Sequence, residues 1–200
     1  MKVTLRIKLA VFFILHFAWF KKIMYMITMA KTKHNGDGHP VKETKNVRMV
    51  VERLDFGRHW TKDPKVDTMY HPRVVQRLVD NKFHEKHSID CDDHAGYYAA
   101  VLLKSKLVKK VWIGTYNFVV KDTGEFAGHA VCVFEDCFGN YLWMDYDYPM
   151  ILSNRWQWVE KSAQIFNAEP VAAVLFEVVS IDKNDTLRFG RIDTKGYLKK

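Results

Sequence analysis

The pattern of apolar and polar positions predicts helices in the first half of the chain. Residues 95–106 carry apolar side chains at spacings of three and four, as one buried helix face requires. These positions are Ala95, Tyr98, Ala99 and Leu102. Residues 73–83 show the same spacing directly after Pro72, and proline is favoured at the first position of a helix. We therefore expect two amphipathic helices before residue 107.

The second half of the chain has the pattern of an antiparallel sheet. Its apolar runs are rich in β-branched and aromatic residues, which favour strands. The predicted strands cover residues 109–120, 128–135, 140–147, 171–181 and 187–192, and a helix is predicted over 153–166. Residues 136–140, with the sequence Asp-Cys-Phe-Gly-Asn, predict a hairpin turn between the second and third strands. Helices followed by antiparallel strands indicate an α+β fold.

The first 30 residues combine basic side chains with two apolar runs. The first run, residues 9–20, is too short to span a bilayer, and two lysines separate it from the second. Three interpretations stay open: a signal or signal-anchor segment, a basic amphipathic helix on a membrane surface, or a helix docked on the domain. The basic and apolar N-terminus slightly favours an exported or membrane-associated protein, and a cytoplasmic protein is the alternative. Residues 31–47 have the composition of a linker. The predicted division is a segment over 1–47 and a domain over 48–200.

Charge and cysteine content exclude several classes of protein. The net charge is +8, but the first 48 residues hold ten basic and two acidic residues, which leaves the remainder balanced. A nucleic-acid-binding domain should carry its own basic face, so we expect no nucleic-acid partner. The three cysteines, Cys91, Cys132 and Cys137, form no CxxC pair, which excludes a disulfide scaffold and a zinc ribbon.

The stretch from Ile89 to Ala95 places a cysteine among three carboxylates at a predicted helix start. Asp90 suits the N-cap, and Asp93 could complete a capping box with it. Asp92 has the pattern of a solvated side chain. Cys91 would then lie beside unpaired backbone amides, which lower a thiol pKa, while the nearby carboxylates raise it. A reactive Cys91 therefore needs a cationic partner.

The predicted hairpin supplies a candidate partner. The midpoint of positions 129 and 145 falls in the turn, so symmetric pairing places His129 directly opposite Asp145, on one face. A carboxylate there orients the imidazole towards a nucleophile. By alternation, Val131 and Val133 should share the face of His129, and Ala130, Cys132 and Phe134 should face the other side. A satisfied polar pair and a buried structural cysteine are the alternative interpretation.

These residues together resemble the bacterial transglutaminase-like cysteine peptidases. The resemblance rests on Asp90, Cys91, Asp93 and Ala95, then on Gly-His-Ala-Val at 128–131, then on Asp145. It covers roughly residues 56–150 and departs from the family at Ile89, His94 and Tyr146. It implies a papain-like α+β core, with the cysteine at a helix N-terminus packed on an antiparallel sheet that carries the histidine and the aspartate.

The resemblance also implies a function. Cys91, His129 and Asp145 would be the catalytic triad of a thiol hydrolase acting on a peptide or protein through an acyl-enzyme intermediate. A preformed ion pair would keep the thiolate into the acid range, about pH 4–7. Trp60 and Asp93 would shape the site. No cofactor is expected, although some relatives bind calcium through acids at the positions of Asp90 and Asp92.

Other functions remain open at this point. Acyl transfer to an amine uses the same intermediate, and the departures at Ile89 and His94 keep a catalytically inactive interaction domain open as an alternative. A zinc site could use residues at spacings of three and four, namely His84, His87, Cys91 and His94. Because no motif residue precedes residue 48, we expect a chain starting near Val47 to fold. The oligomeric state is not predicted.

Overall fold

The computed structural model describes residues 4–34, 38–52, 69–81, 89–145 and 149–198. Trp60, His84 and His87 lie outside the described residues. The helices are α1 Leu5–His16, α2 Ala18–His34, α3 Arg48–Glu52, α4 Pro72–Asp80, α5 Cys91–Lys104 and α6 Gln157–Ile165. The strands are β1 Val108–Val120, β2 Phe126–Asp136, β3 Tyr141–Met144, β4 Met150–Leu152, β5 Ala168–Ile181 and β6 Leu187–Gly196.

The strands form one antiparallel sheet in the order β4-β3-β2-β1-β5-β6. The long strand β1 is central and pairs with β2 on one side and β5 on the other, so that Tyr116 lies between His129 and Ala173. Five described helices precede the sheet, and α6 connects β4 at one edge of the sheet with β5 beside β1. The predicted α+β class is confirmed at this level.

The two faces of the sheet carry separate cores, and strand alternation assigns each residue to one of them. Ala130, Cys132 and Phe134 pack with α5 on the first face. Val131 and Val133 pack on the second face, with Trp158 of α6. The predicted alternation along β2 is therefore confirmed.

The hairpin between β2 and β3 has a different centre from the predicted one. The backbone amide of Asp136 donates to the Asn140 carbonyl at 3.0 Å, and the ladder ends with Cys132 opposite Met144. This register places the centre of the hairpin at position 138. The Asp136 carboxylate stabilises the turn there, because it accepts the amides of Phe138 and Asn140. By this register the residue opposite Asp145 is Val131, two positions from His129. The predicted directly opposed pair is wrong, but a shift of two preserves the face.

Helices α1 and α2 pack on the same domain as the sheet. Tyr25 and Met29 of α2 are wholly buried in the core that contains α5, and the Tyr25 ring lies 5.7 Å from that of Phe176. The Thr28 and Thr32 hydroxyls accept the amides of residues 69 and 71 at 3.1 and 2.9 Å. The docked-helix interpretation fits these contacts. The predicted boundary after residue 47 and the folding of a chain that starts at Val47 stay predictions, although α2 contributes buried side chains to the core that contains α5.

Screening of the described helices by length and hydropathy identifies no single helix suited to crossing a membrane. Taken together, Leu5–His16 and Ala18–Thr32 pass the screen, but they are bent by 67°.

A buried ion cluster joins the helices to the β5–β6 turn. The carboxylate of Asp185 accepts from Arg73 Nε at 2.8 Å, from Lys104 Nζ at 2.7 Å and from the Val41 amide at 3.1 Å. Burial alone would raise the pKa of this carboxyl, but these three donors outweigh burial and lower it from the ordinary 3.8. Asp185 therefore stabilises the docking of α4 and α5 while it is ionised.

Candidate active site

Cys91 is the first residue of α5, and the carboxylates around it close the helix start. The Asp90 side chain accepts the amides of Asp92 and Asp93 at 3.0 and 3.4 Å, and the Asp93 side chain accepts the Asp90 amide at 3.1 Å. The predicted N-cap and capping box are confirmed. Asp93 also accepts the amide of Tyr70 at 2.6 Å, which fixes the preceding segment against α5. The described role of Asp93 is thus structural.

Asp92 is buried, which contradicts its expected solvation. Its carboxylate accepts the hydroxyl of Tyr25 at 2.6 Å and lies 3.9 Å from the ammonium of Lys21. Both partners belong to α2, which sequence reasoning treated as separable from the domain. The turn that presents Cys91 is consequently held by the N-terminal helix.

His129 and Asp145 form the predicted pair. His129 Nε2 lies 2.7 Å from Asp145 Oδ1, and each side chain is only 6% exposed. β3 ends at Met144, so Asp145 leaves the ladder and its side chain reaches the histidine two positions away in the register. Phe166 and Tyr116 pack edge-on against the imidazole, with ring centres 5.0 and 6.2 Å from it. The ring orientation is therefore set by one carboxylate and two aromatic walls.

Cys91 meets β2 at Ala130, on the sheet face that α5 covers, whereas the ring of the neighbouring His129 packs with Tyr116 on the other face. Because the Asp136 amide points to β3, the amides of the even-numbered residues of β2 point the same way. The ladder ends at Cys132, so the amide of Ala130 points beyond the end of β3, and it is the backbone donor that lowers the pKa of the Cys91 thiol.

Tyr116 links the remaining parts of the site. Burial raises the pKa of its phenol, and the charges of Asp145 and Cys91 raise it further. The predicted residues Cys91, His129 and Asp145 are thus brought to one end of β2, whereas Trp60 lies outside the described residues.

The charges around Cys91 oppose a resting thiolate. Burial first, then Asp92 and Asp90, raise the pKa of the Cys91 thiol well above its ordinary 9.0, against smaller lowering effects of the Ala130 amide and Lys21. The expected preformed ion pair with an acid-range thiolate is at odds with this balance. Burial and the two carboxylates favour a neutral Cys91 thiol.

The candidate metal ligands are used otherwise. Among the residues that the structure describes, no group of three or more His, Cys, Asp and Glu side chains could hold a metal. The helix-capping bonds of Asp90 and the ammonium beside Asp92 do not favour calcium, which stays an untested expectation. His94 is buried inside α5, where burial and then the charge of His129 lower its pKa well below 6.5. The zinc hypothesis also needs residues 84 and 87, outside the described ranges.

In comparisons with known proteins, no family model, no curated protein and no solved structure matches this chain.

Proposed function

We propose that the protein is a thiol hydrolase in which Cys91, His129 and Asp145 act as a catalytic triad. One observation carries the proposal. His129, which is buried and paired with Asp145, lies on β2 next to Ala130, whose backbone amide lowers the pKa of the Cys91 thiol. A nucleophile, a base and a group that orients the base are the three components of covalent acyl transfer. The resemblance to the transglutaminase-like cysteine peptidases gives these residues the same order.

The proposed cycle begins from the neutral thiol. As the Cys91 sulfur attacks an amide carbonyl carbon, His129 takes the thiol proton at Nδ1, while Asp145 holds Nε2–H and stabilises the imidazolium. His129 then gives the proton to the departing amine, which leaves a thioester on Cys91. Water loses a proton to the same imidazole, attacks the thioester and releases the acid. The Asp90 side chain already accepts the amides of Asp92 and Asp93. We therefore assign the stabilisation of the oxyanion to the backbone N–H of Cys91.

The substrate class follows from the resemblance alone, which favours a peptide or protein amide. An amine that replaces water in the last step would give transglutaminase-type acyl transfer through the same thioester. The two outcomes differ only in the acceptor.

The test is acylation of Cys91 by a simple activated ester. The exposed Cys137 would react as an ordinary thiol, so Cys137→Ser is the parent, and p-nitrophenyl acetate is the probe. We expect a burst of nitrophenol and an acetyl group located on Cys91 by peptide mass mapping. His129→Ala should slow acylation by about 10²–10⁴ through loss of the base. Asp145→Asn should slow it less, because the shape of the pair survives.

Cys132→Ala is the matched control, because this thiol is wholly buried in the core and takes no part in the proposed cycle. An unacylated Cys91 in folded protein, or equal acylation rates in the parent and the Asp145→Asn variant, would remove the enzyme proposal.

A second candidate is a non-catalytic interaction domain with a transglutaminase-like fold. The specific observation in its favour is the raised pKa of Cys91, caused by burial and by two carboxylates that a catalytic thiol does not need. In that case Cys91 should stay unmodified by the ester, and substitution of His129 should change only stability.

A further inference from the structure

Helices α1 and α2 each have two apolar faces, of which only one is buried. Val11 of α1 and Tyr25 of α2 lie on the buried faces. The opposite faces carry large apolar side chains at spacings of three and four, each between 39% and 73% exposed. We call this surface the outer stripe; its members are Leu5, Leu9, Phe12, Phe13, Phe17, Trp19, Phe20, Ile23, Met26 and Ile27. A helix that is apolar on all sides normally has no face in water.

The two halves of the outer stripe point away from the same face of the sheet. Val11 packs with Val119 and Val171, and Tyr25 packs with Phe176. Alternation along β1 places Val119 on the face that α5 covers. Because both helices are docked there by their inner sides, their outer sides face away together. Soluble monomers rarely expose an apolar patch of this extent without a partner.

The charges next to the outer stripe are all positive. Neither helix contains an acidic residue. On a helical projection, Arg6 and Lys8 lie at the two margins of the stripe on α1, and Lys31 lies at its margin on α2; all three are exposed. Lys22 is committed to the Gly190 carbonyl at 2.8 Å, on the inner side. The excess charge of +8 belongs to the first 48 residues, which contain both helices of the stripe.

We infer that the outer stripe docks on an anionic lipid surface. The apolar side chains enter the boundary between headgroups and acyl chains, and Arg6, Lys8 and Lys31 contact lipid phosphates. A second copy of the chain is a poorer occupant, because a symmetric pair would bring the basic margins together. The helices lie on the membrane: α1 is 12 residues long, about 18 Å against a hydrocarbon core of about 30 Å.

The outer stripe is continuous with an apolar groove of about 450 Å³. Phe13, Phe17 and Phe20 line its mouth, and its floor includes Thr115 and Phe176. Thr115 is the cross-strand neighbour of Ala130, which adjoins His129. The inference does not depend on catalysis.

The test is flotation of the full chain with vesicles of phosphatidylcholine alone and of phosphatidylcholine mixed with phosphatidylglycerol. We expect the protein to float with the anionic vesicles and to be released by salt. Leu9→Gln with Phe12→Gln should weaken binding by about tenfold or more, because two side chains leave the apolar layer. Arg6→Glu with Lys8→Glu should weaken it further, at about fivefold for each charge lost.

Matched controls distinguish binding through the outer stripe from non-specific hydrophobic or electrostatic binding elsewhere on the surface. Phe138→Gln with Ile151→Gln removes side chains that are 90% and 71% exposed elsewhere, and Lys109→Glu with Lys110→Glu reverses charges on β1. Both controls should float like the parent. Absence of flotation, equal loss in stripe variants and controls, or a lipid-free dimer that only the stripe variants dissociate would each overturn the inference. Near-ultraviolet circular dichroism verifies that each variant is folded.

Discussion

Replacement of Tyr25 by phenylalanine tests whether the N-terminal helix is part of the folded domain. The Tyr25 hydroxyl donates to the buried Asp92 carboxylate at 2.6 Å, and both residues are almost fully buried. A hydrogen bond to a charged group contributes about 1.5–3 kcal/mol, and its loss leaves the carboxylate short of a donor. For a chain of this size a loss of 2 kcal/mol lowers Tm by about 4–8 °C.

Tyr97→Phe is the matched control for that experiment. Tyr97 is equally buried, and its hydroxyl donates at 2.9 Å to the neutral amide oxygen of Gln76. The same chemical change should therefore cost only about 0.5–1.5 kcal/mol. Chemical denaturation followed by circular dichroism gives both free energies of unfolding. A Tyr25→Phe variant as stable as the parent, or no less stable than Tyr97→Phe, would refute the docking of α2 through Asp92.

Three further predictions follow from the same contacts. Asp185→Asn should cost about 1.5–3 kcal/mol at neutral pH, because the buried carboxylate loses its charged hydrogen bonds from two partly exposed cations. The pKa of Asp185 is lowered in the folded state, so its contribution to stability is present above the unfolded pKa and disappears as pH falls through the folded pKa. The free energies of unfolding of parent and variant should therefore converge in acid. A difference in free energy that stays constant with pH would contradict the argument. Asp92→Asn should lower the pKa of Cys91, so that iodoacetamide modifies Cys91 faster at neutral pH in a Cys137→Ser parent; an unchanged pH profile would contradict this. A chain starting at Val47 should be insoluble or unfolded in expression trials, because it lacks wholly buried side chains of α2; a soluble, cooperatively folding product would show that α2 is an accessory.

The parts of the site that depend on local periodicity could be predicted from the sequence. The Asp-Cys-Asp-Asp order fixes an N-cap and a capping box within four residues, and the structure has both. His129 and Asp145 pair as predicted, although the predicted centre of the hairpin was wrong. Side chains alternate with period two, so an error of two positions keeps both residues on one face, whereas an error of one would have separated them.

The contacts of α2 could not be predicted in the same way, because they join residues far apart in sequence. Tyr25 and Asp92 are separated by 67 positions, and an apolar run with basic flanks has the composition of an export signal. A signal was nevertheless present. Tyr25 and Thr28 lie inside the apolar run and Thr32 just after it, at spacings of three and four, and their hydroxyls need partners that a lipid interior does not supply.

The position of Asp92 imposes opposite requirements on folding and on chemistry. Its charge anchors Tyr25 and thereby α2, but the same charge raises the pKa of the neighbouring thiol. For an inert domain this conflict has no consequence, since Cys91 is then only a partly buried side chain. For a hydrolase it means that the thiol rests neutral and that His129 must remove the proton in the step that forms the carbon–sulfur bond. The rate of acylation should then depend on Asp145, which orients the base. The rate of alkylation, measured in the Asp92→Asn variant, needs only the thiolate and should not depend on Asp145. A difference between these two dependences would show that the base takes part in the reaction, and equal dependences would show that it does not.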